Sequence, residues 1–246
     1  MHLPLLHSFT FIVGFCLSFG LQAAELFAGT YVREYNSGSL VIKDSKNGQE
    51  FQIESVGSNC HSCSVSGIIK GGIGYTEPGK PDDSNCRIAF KGDSSSVNVE
   101  PALSEACRQY CGMRAHFNGV YKALSAECTV KSLQARRNKY LGLYKKRQFS
   151  EAAAAIESLL KECSNAFMDG VQTDRIRNDL AVAQYHSGDS LACQKTLSLT
   201  RASEFEDETA LRSQLPPCDF DNYISVAKAT WHNQALCEKP ARNKAY

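Results

Sequence analysis

Charge is missing from the start of this chain: the first 24 residues contain no Asp, Glu, Lys or Arg. From Phe9 to Leu21 the chain is almost wholly apolar, and Gln22 leads into the small residues Ala23 and Ala24. A short apolar run ending in small residues reads as a secretory signal peptide over 1–24, cleaved after Ala23 or Ala24. It departs from the usual pattern by lacking an N-terminal Lys or Arg. A bilayer-spanning helix needs about 20 apolar residues, and this run is shorter. No second run qualifies, so no integral membrane segment is expected after cleavage. Lipidation at Cys16 is not expected either, because Phe15 is large where a small residue is wanted.

An excess of one charge sign is also missing. Lys and Arg number 27 against 26 Asp and Glu, a net charge of +1. That removes the whole-chain electrostatic argument for nucleic acid or an anionic membrane as partner. The phosphate-loop, dinucleotide, G-x-S-x-G and H-E-x-x-H patterns are all absent. Without them the sequence implies no cofactor and no metal.

Cysteine, by contrast, is abundant: eleven in 246 residues, ten once Cys16 is cleaved away. An even count in an exported chain implies a disulfide framework and a periplasmic or secreted location. Each bridge stabilises by about 2–4 kcal/mol. Six of the ten lie at or before Cys128 and four beyond it, so each half is able to close its own bridges. Cys107 and Cys111, four apart on one helical face, are expected to bridge outward to a sheet. Cys163 and Cys193 are expected to tie one helix pair to the next.

The periodicity divides the chain into 25–127 and 128–246. In the first part residues alternate. Tyr31, Arg33 and Tyr35 face one way and Val32 and Glu34 the other; Leu40 and Ile42, then Phe51 and Ile53, repeat the period of two. Ser37-Gly38 and Asn47-Gly48 mark turns. Ser64–Lys70, Arg87–Lys91 and Val97–Glu100 are further strands, giving an antiparallel meander of roughly six to eight strands. A short helix over 102–111 follows, stopped by Gly112. Gly29-Thr30-Tyr31 recurs as Gly119-Val120-Tyr121, which suits first and last strands that meet in a small closed barrel.

After Cys128 the period becomes 3.6. Val130, Leu133, Tyr140, Leu141 and Tyr144 mark one helix, capped by Thr129. Ser150 is read as the cap of a second and Thr173 as the opening of a third, which ends near Gly188. Asp189 or Ser190 opens a fourth. Pro216-Pro217 interrupts the chain, and a last helix runs over about 221–237. The fold class is therefore α+β: a small antiparallel β-barrel or meander domain, then a helical domain, with disulfides.

Tyr140, Leu141, Tyr144, Phe149 and Ala152 or Ala153 form one pattern, and Leu180-Ala181, Tyr185, Gly188-Asp189 and Ala192-Cys193 a second. The region resembles tetratricopeptide repeats, with copies about 40 residues apart where about 34 is usual. The resemblance implies binding of a peptide or protein on the concave face of the first helices, with Arg175, Asn178 and Tyr185 as contacts. Arg136-Arg137 and Lys145-Lys146-Arg147 add a basic stripe that suits an acidic segment. The β-rich half resembles the cysteine-bridged periplasmic lysozyme inhibitors, which carry a Ser-Gly-x-x-Tyr loop. Here Gly71-Gly72-Ile73-Gly74-Tyr75 keeps the Gly and Tyr, with Gly71 in place of Ser. That implies inhibition of a peptidoglycan-cleaving enzyme through Gly72 and Tyr75. A non-catalytic protein-binding protein is expected, its partner a lytic enzyme or another envelope protein.

Two motifs point to catalysis. Gly188-Asp189-Ser190-Leu191 spells the nucleophile motif of GDSL hydrolases, but no His has an Asp three residues before it to supply the base. The letters also read as a helix stop followed by a helix cap. Cys60-His61-Ser62-Cys63 is a C-x-x-C, open to structural bridging, to metal binding or to redox chemistry.

Overall fold

A computed structural model describes residues 26–46, 48–76, 85–101 and 105–240. The signal segment 1–24, Asn47 of the Asn-Gly turn and residues 102–104 of the short helix lie outside the described residues.

Alternating residues build eight antiparallel strands: β1 Gly29–Arg33, β2 Gly38–Ser45, β3 Gly48–Val56, β4 Ser62–Lys70, β5 Ile73–Tyr75, β6 Arg87–Gly92, β7 Ser96–Pro101 and β8 Gly119–Ala123. They follow one another around a closed barrel, and β8 returns to pair with β1, with Arg33 opposite Tyr121. The two G-x-Y strands do meet. Closure leaves no exposed strand edge. One side of each strand fills the barrel. Tyr31, Leu40, Ile53 and Val65 face inward in matching register, Ile69 and Ile88 flank Gly74 in a second row, and Phe90 is opposite Val99. Gly74 completes this layer because a Cβ there would meet Phe90 Cε2 at 2.6 Å and Phe51 Cε1 at 2.8 Å. Phe51 and Phe90, with ring centroids 5.0 Å apart, occupy that space instead.

The alternation does not continue through Tyr35. The first strand ends at Arg33, and Tyr35 takes a positive φ of 57° in a tight turn, with its side chain 57% exposed. β5 is a strand that the glycine-rich sequence 71–75 conceals. The connection from β7 to β8 covers one end of the barrel. It carries the single-turn helix α1 Glu105–Arg108, buried Phe117 and two bridges back to the barrel, Cys86–Cys107 and Cys63–Cys111. Both cysteines bridge outward to the barrel as expected, but they do not share a helical face: the helix stops at Arg108, short of the expected 111, and Cys111 lies beyond it in an isolated antiparallel bridge with Cys63.

The second region holds six α-helices among the described residues: α2 Val130–Lys145, α3 Phe149–Phe167, α4 Gly170–His186, α5 Ser190–Leu197, α6 Glu208–Gln214 and α7 Pro217–Cys237. Short turns fold α2 to α5 back and forth as antiparallel neighbours. Thr129 caps α2 by accepting from Ser132 N. The caps of the next two helices differ from expectation. α3 starts at Phe149, before Ser150, and α4 starts at Gly170, where the Asp169 side chain accepts from Gln172 N. Thr173 is then a buried residue inside the helix. Pro216-Pro217 opens α7 rather than merely breaking the chain, since a proline at the first helical position has no amide to leave unpaired. The α6 helix has no counterpart in the periodicity. No helix among the described residues is long and apolar enough to cross a membrane.

The bridges of this region are Cys128–Cys163 and Cys193–Cys237. The expected link of Cys163 to Cys193 is not made. Cys128 sits in the turn before α2, against the end of α3, while Cys193 on α5 faces the end of α7. The two halves also do not close their bridges separately. Cys60, in the β3–β4 connection, is joined to Cys218 at the start of α7. Hydrogen bonds reinforce this clasp: Asn59 N donates to both Asp219 carboxylate oxygens at 3.0 Å, and Cys218 N donates to Asn59 Oδ1 at 3.1 Å.

Candidate functional site

Helices α2, α4 and α7 enclose a groove of about 440 Å³. Arg137, Tyr140, Leu141 and Tyr144 line it from α2, and Arg175, Asn178, Asp179 and Val182 from α4. Ser225, Val226, Ala229 and Asn233 complete it from α7. The spacing of Arg137, Tyr140, Leu141 and Tyr144 puts one strip of α2 on the wall. A packed floor fixes its position. Tyr140 is 3% exposed, and its hydroxyl donates to the Asp179 carbonyl at 2.7 Å. Burial, then the Asp179 charge, raises that hydroxyl's pKa well above its ordinary value, so it stays a donor.

The two arginines of the groove differ. Arg137 Nε donates to Asp179 Oδ2 at 2.7 Å, and this bond holds its charge in place. Arg175 is exposed and makes no hydrogen bond or ion pair among the described residues. One uncompensated cation therefore stands over a lining of Tyr144, Leu141 and Val182. A second trough of about 850 Å³ lies between α3, α4 and α5, but both charge signs line it, through Glu157, Lys161 and Lys195.

A buried polar network supports the groove from beneath. Asn178 Nδ2 donates to the Asp174 carbonyl and to Thr230 Oγ1, both at 2.9 Å, and Asn233 Nδ2 donates to Asn178 Oδ1 at 2.8 Å. The Asp174 carboxylate, 3% exposed, accepts from Tyr223 Oη at 2.6 Å, Arg177 Nη1 at 2.8 Å and Arg201 N at 2.9 Å. Burial first, and the Asp174 bond second, push the Tyr223 hydroxyl far above its usual range. This network locks α4 to α7 and so fixes the groove's width.

The five residues singled out from the sequence are thus spread over three places. Arg175 and Asn178 share the groove, with the Asn178 amide already engaged by its own neighbours. Tyr185 is 8% exposed and lies by a separate hollow with His186, Leu236 and Lys239. Its neighbour His186 stacks on Phe149 at 5.0 Å, and burial lowers the imidazole's pKa. Gly72 is in the β4–β5 turn, where Gly71 and Gly72 have φ of 58° and 79°. Tyr75 is on β5, half-buried on the barrel's outer wall. Arg137 stood out in the sequence only as part of the basic stripe, whose Arg136 and Arg137 are instead paired within the chain with Glu162 and Asp179; Asp179 and Asn233 did not stand out. The i, i+3, i+4, i+7 strip on α2 was the available signal; Asn233 gave none.

The two catalytic motifs have structural roles. Asp189 caps α5 by accepting from Ala192 N at 2.8 Å, after Gly188 turns the chain with φ of 99°. Ser190 Oγ is buried with no hydrogen-bond partner among the described residues, so none of them stands as a base within hydrogen-bond reach of it. Cys60 and Cys63 are each bonded elsewhere, to Cys218 and Cys111, so the C-x-x-C is not a dithiol pair. No group of metal-ligating residues occurs among the described residues. Comparisons with protein-family models, with curated proteins and with solved structures find no match.

Proposed function

We propose that this chain is a non-catalytic protein-binding protein of an oxidising envelope compartment, periplasmic or secreted. Its helical hairpins act as a tetratricopeptide-like scaffold, and the groove between α2, α4 and α7 receives a segment of the partner. The observation that carries this reading is Arg175, an unpaired cation in a groove that combines apolar side chains, Leu141, Val182 and Val226, with polar groups engaged among themselves. An extended segment with an acidic side chain among apolar ones complements it in charge. Five disulfides and the buried polar network support the same reading, because a rigid receptor loses little entropy on binding.

Inhibition of a peptidoglycan-cleaving enzyme is the second reading. Its support is the β4–β5 turn, where a Cβ on Gly71 would meet nothing within 4 Å, so the tip is free to enter a cleft. The test is capture by the oxidised, C-terminally tagged protein from periplasmic extract with added lysozymes. Arg175→Glu is expected to weaken the captured partner at least about tenfold, and Tyr75→Ala to leave it unchanged. The reverse result, with a lytic enzyme captured, replaces the groove by the β4–β5 hairpin.

A further inference from the structure

Four of the five bridges close within one region. Cys63–Cys111 and Cys86–Cys107 belong to the barrel, Cys128–Cys163 and Cys193–Cys237 to the helices and the turn before them. Each of these has at least one buried cysteine, and all but Cys111 are buried. Cys60–Cys218 differs on both counts. It crosses from the barrel to the helices over a separation of 158 residues, and both its cysteines are half-exposed. Exchange needs an attacking thiolate to reach a sulfur, so access ranks this bridge first.

Its surroundings also favour a leaving thiolate. Cys218 is the second residue of the 21-residue helix α7. Its own amide already donates to Asn59 Oδ1, but the positive end of the helix dipole still favours a thiolate there. Asn222 Nδ2 lies 3.2 Å from Cys60 Sγ and 3.8 Å from Cys218 Sγ, placed to donate to a thiolate at either sulfur. Asp219 opposes that charge, but the Asn59 amide at 3.0 Å and the Ser58 hydroxyl at 3.4 Å hold and partly offset its carboxylate.

We propose that Cys60–Cys218 is a thiol-exchange site, opened by a dithiol oxidoreductase before any other bridge. The partner's thiolate attacks Cys60 Sγ. The bond to Cys218 breaks, and its electron pair leaves on Cys218 Sγ, which takes a proton. The partner's second thiolate then displaces Cys60 from the mixed disulfide, and Cys60 takes a proton in turn. Two electrons and two protons pass to the bridge, and the partner dithiol ends as a disulfide. Reduction removes the one covalent link between the barrel and α7 among the described residues and leaves the hydrogen bonds of Asn59 with Cys218 and Asp219 in place. This site stands independently of what occupies the groove.

The test uses the full oxidised protein with graded dithiothreitol as the dithiol. Free thiols are trapped by alkylation at each step and located by peptide mass spectrometry. Cys60 and Cys218 are expected to be labelled together at about tenfold less reductant than any other pair, the ordering that access and leaving-group chemistry imply. Earlier labelling of another pair, or labelling of all five pairs together, overturns the proposal.

Discussion

Asp174 brings one carboxylate to three donors in the interior of the helical region. Removing it leaves the Tyr223 hydroxyl proton and the Arg201 amide unmatched and takes the counter-charge from Arg177, which keeps only its bond to the Leu199 carbonyl; an uncompensated buried partner is expensive. Asp174→Ala is expected to lose about 3 kcal/mol or more, read as a lower urea midpoint. Tyr223→Phe removes one hydroxyl and is expected to lose about 1 kcal/mol. Equal, small losses for the two would remove Asp174 from the centre of the network. The barrel has its own titrating residue. Burial pushes the Tyr121 hydroxyl up to about 12, while Arg33 pulls slightly the other way. In the unfolded chain a tyrosine titrates near about 10. A raised folded pKa means stability is fully present below pH about 10 and is lost as pH rises through about 12. The share is on the order of 2–3 kcal/mol. Unfolding of wild type and Tyr121→Phe at pH 9 and at pH 11.5 measures it: the variant should show a shallower loss across that interval. Parallel losses in the two proteins would mean that Tyr121 does not titrate in this way.

Among the elements, the β4–β5 hairpin separates two roles of glycine. Gly74→Ala forces a methyl group between Phe51 and Phe90 and is expected to destabilise by about 1–3 kcal/mol. Gly71→Ala meets no neighbour, so its loss comes from a φ of 58° and is expected near about 1 kcal/mol. Thermal unfolding of both ranks them, and a Gly71 variant worse than the Gly74 one would contradict the packing account. At α5, Asp189→Ala removes the cap on Ala192 N and is expected to lose about 1 kcal/mol. The same elements show what is legible in a sequence. Alternation located β2, β3, β6 and β7 because each has one side in a closed interior. It missed β5, whose Ile73-Gly74-Tyr75 reads as a turn until the space beside two phenylalanines explains the glycine. The period of 3.6 found α2 to α5 but placed two caps wrongly, since Ser150 and Thr173 suit a cap in isolation and the chain uses Gln148 and Asp169.

For the whole molecule, an even cysteine count implied the number of bridges but not their pairing. Cys60–Cys218 and Cys193–Cys237 depend on where α7 docks, and no local pattern encodes a contact between a β-hairpin connection and a helix 158 residues later. The groove was half legible for the same reason. Arg175 and Asn178 stood out on α4, whereas its third wall comes from the distant α7. Docking of α7 by two covalent bridges, several hydrogen bonds and the Asp174 network makes the groove a property of the whole chain rather than of two helical hairpins. The most direct measurement is a hydrogen-exchange footprint of a captured partner on the oxidised protein. Protection is expected on α2, α4 and α7 around Tyr144, Arg175 and Ala229, and to be lost in Arg175→Glu. Protection confined to residues 70–76 of the barrel would contradict the account and assign binding to the β4–β5 hairpin.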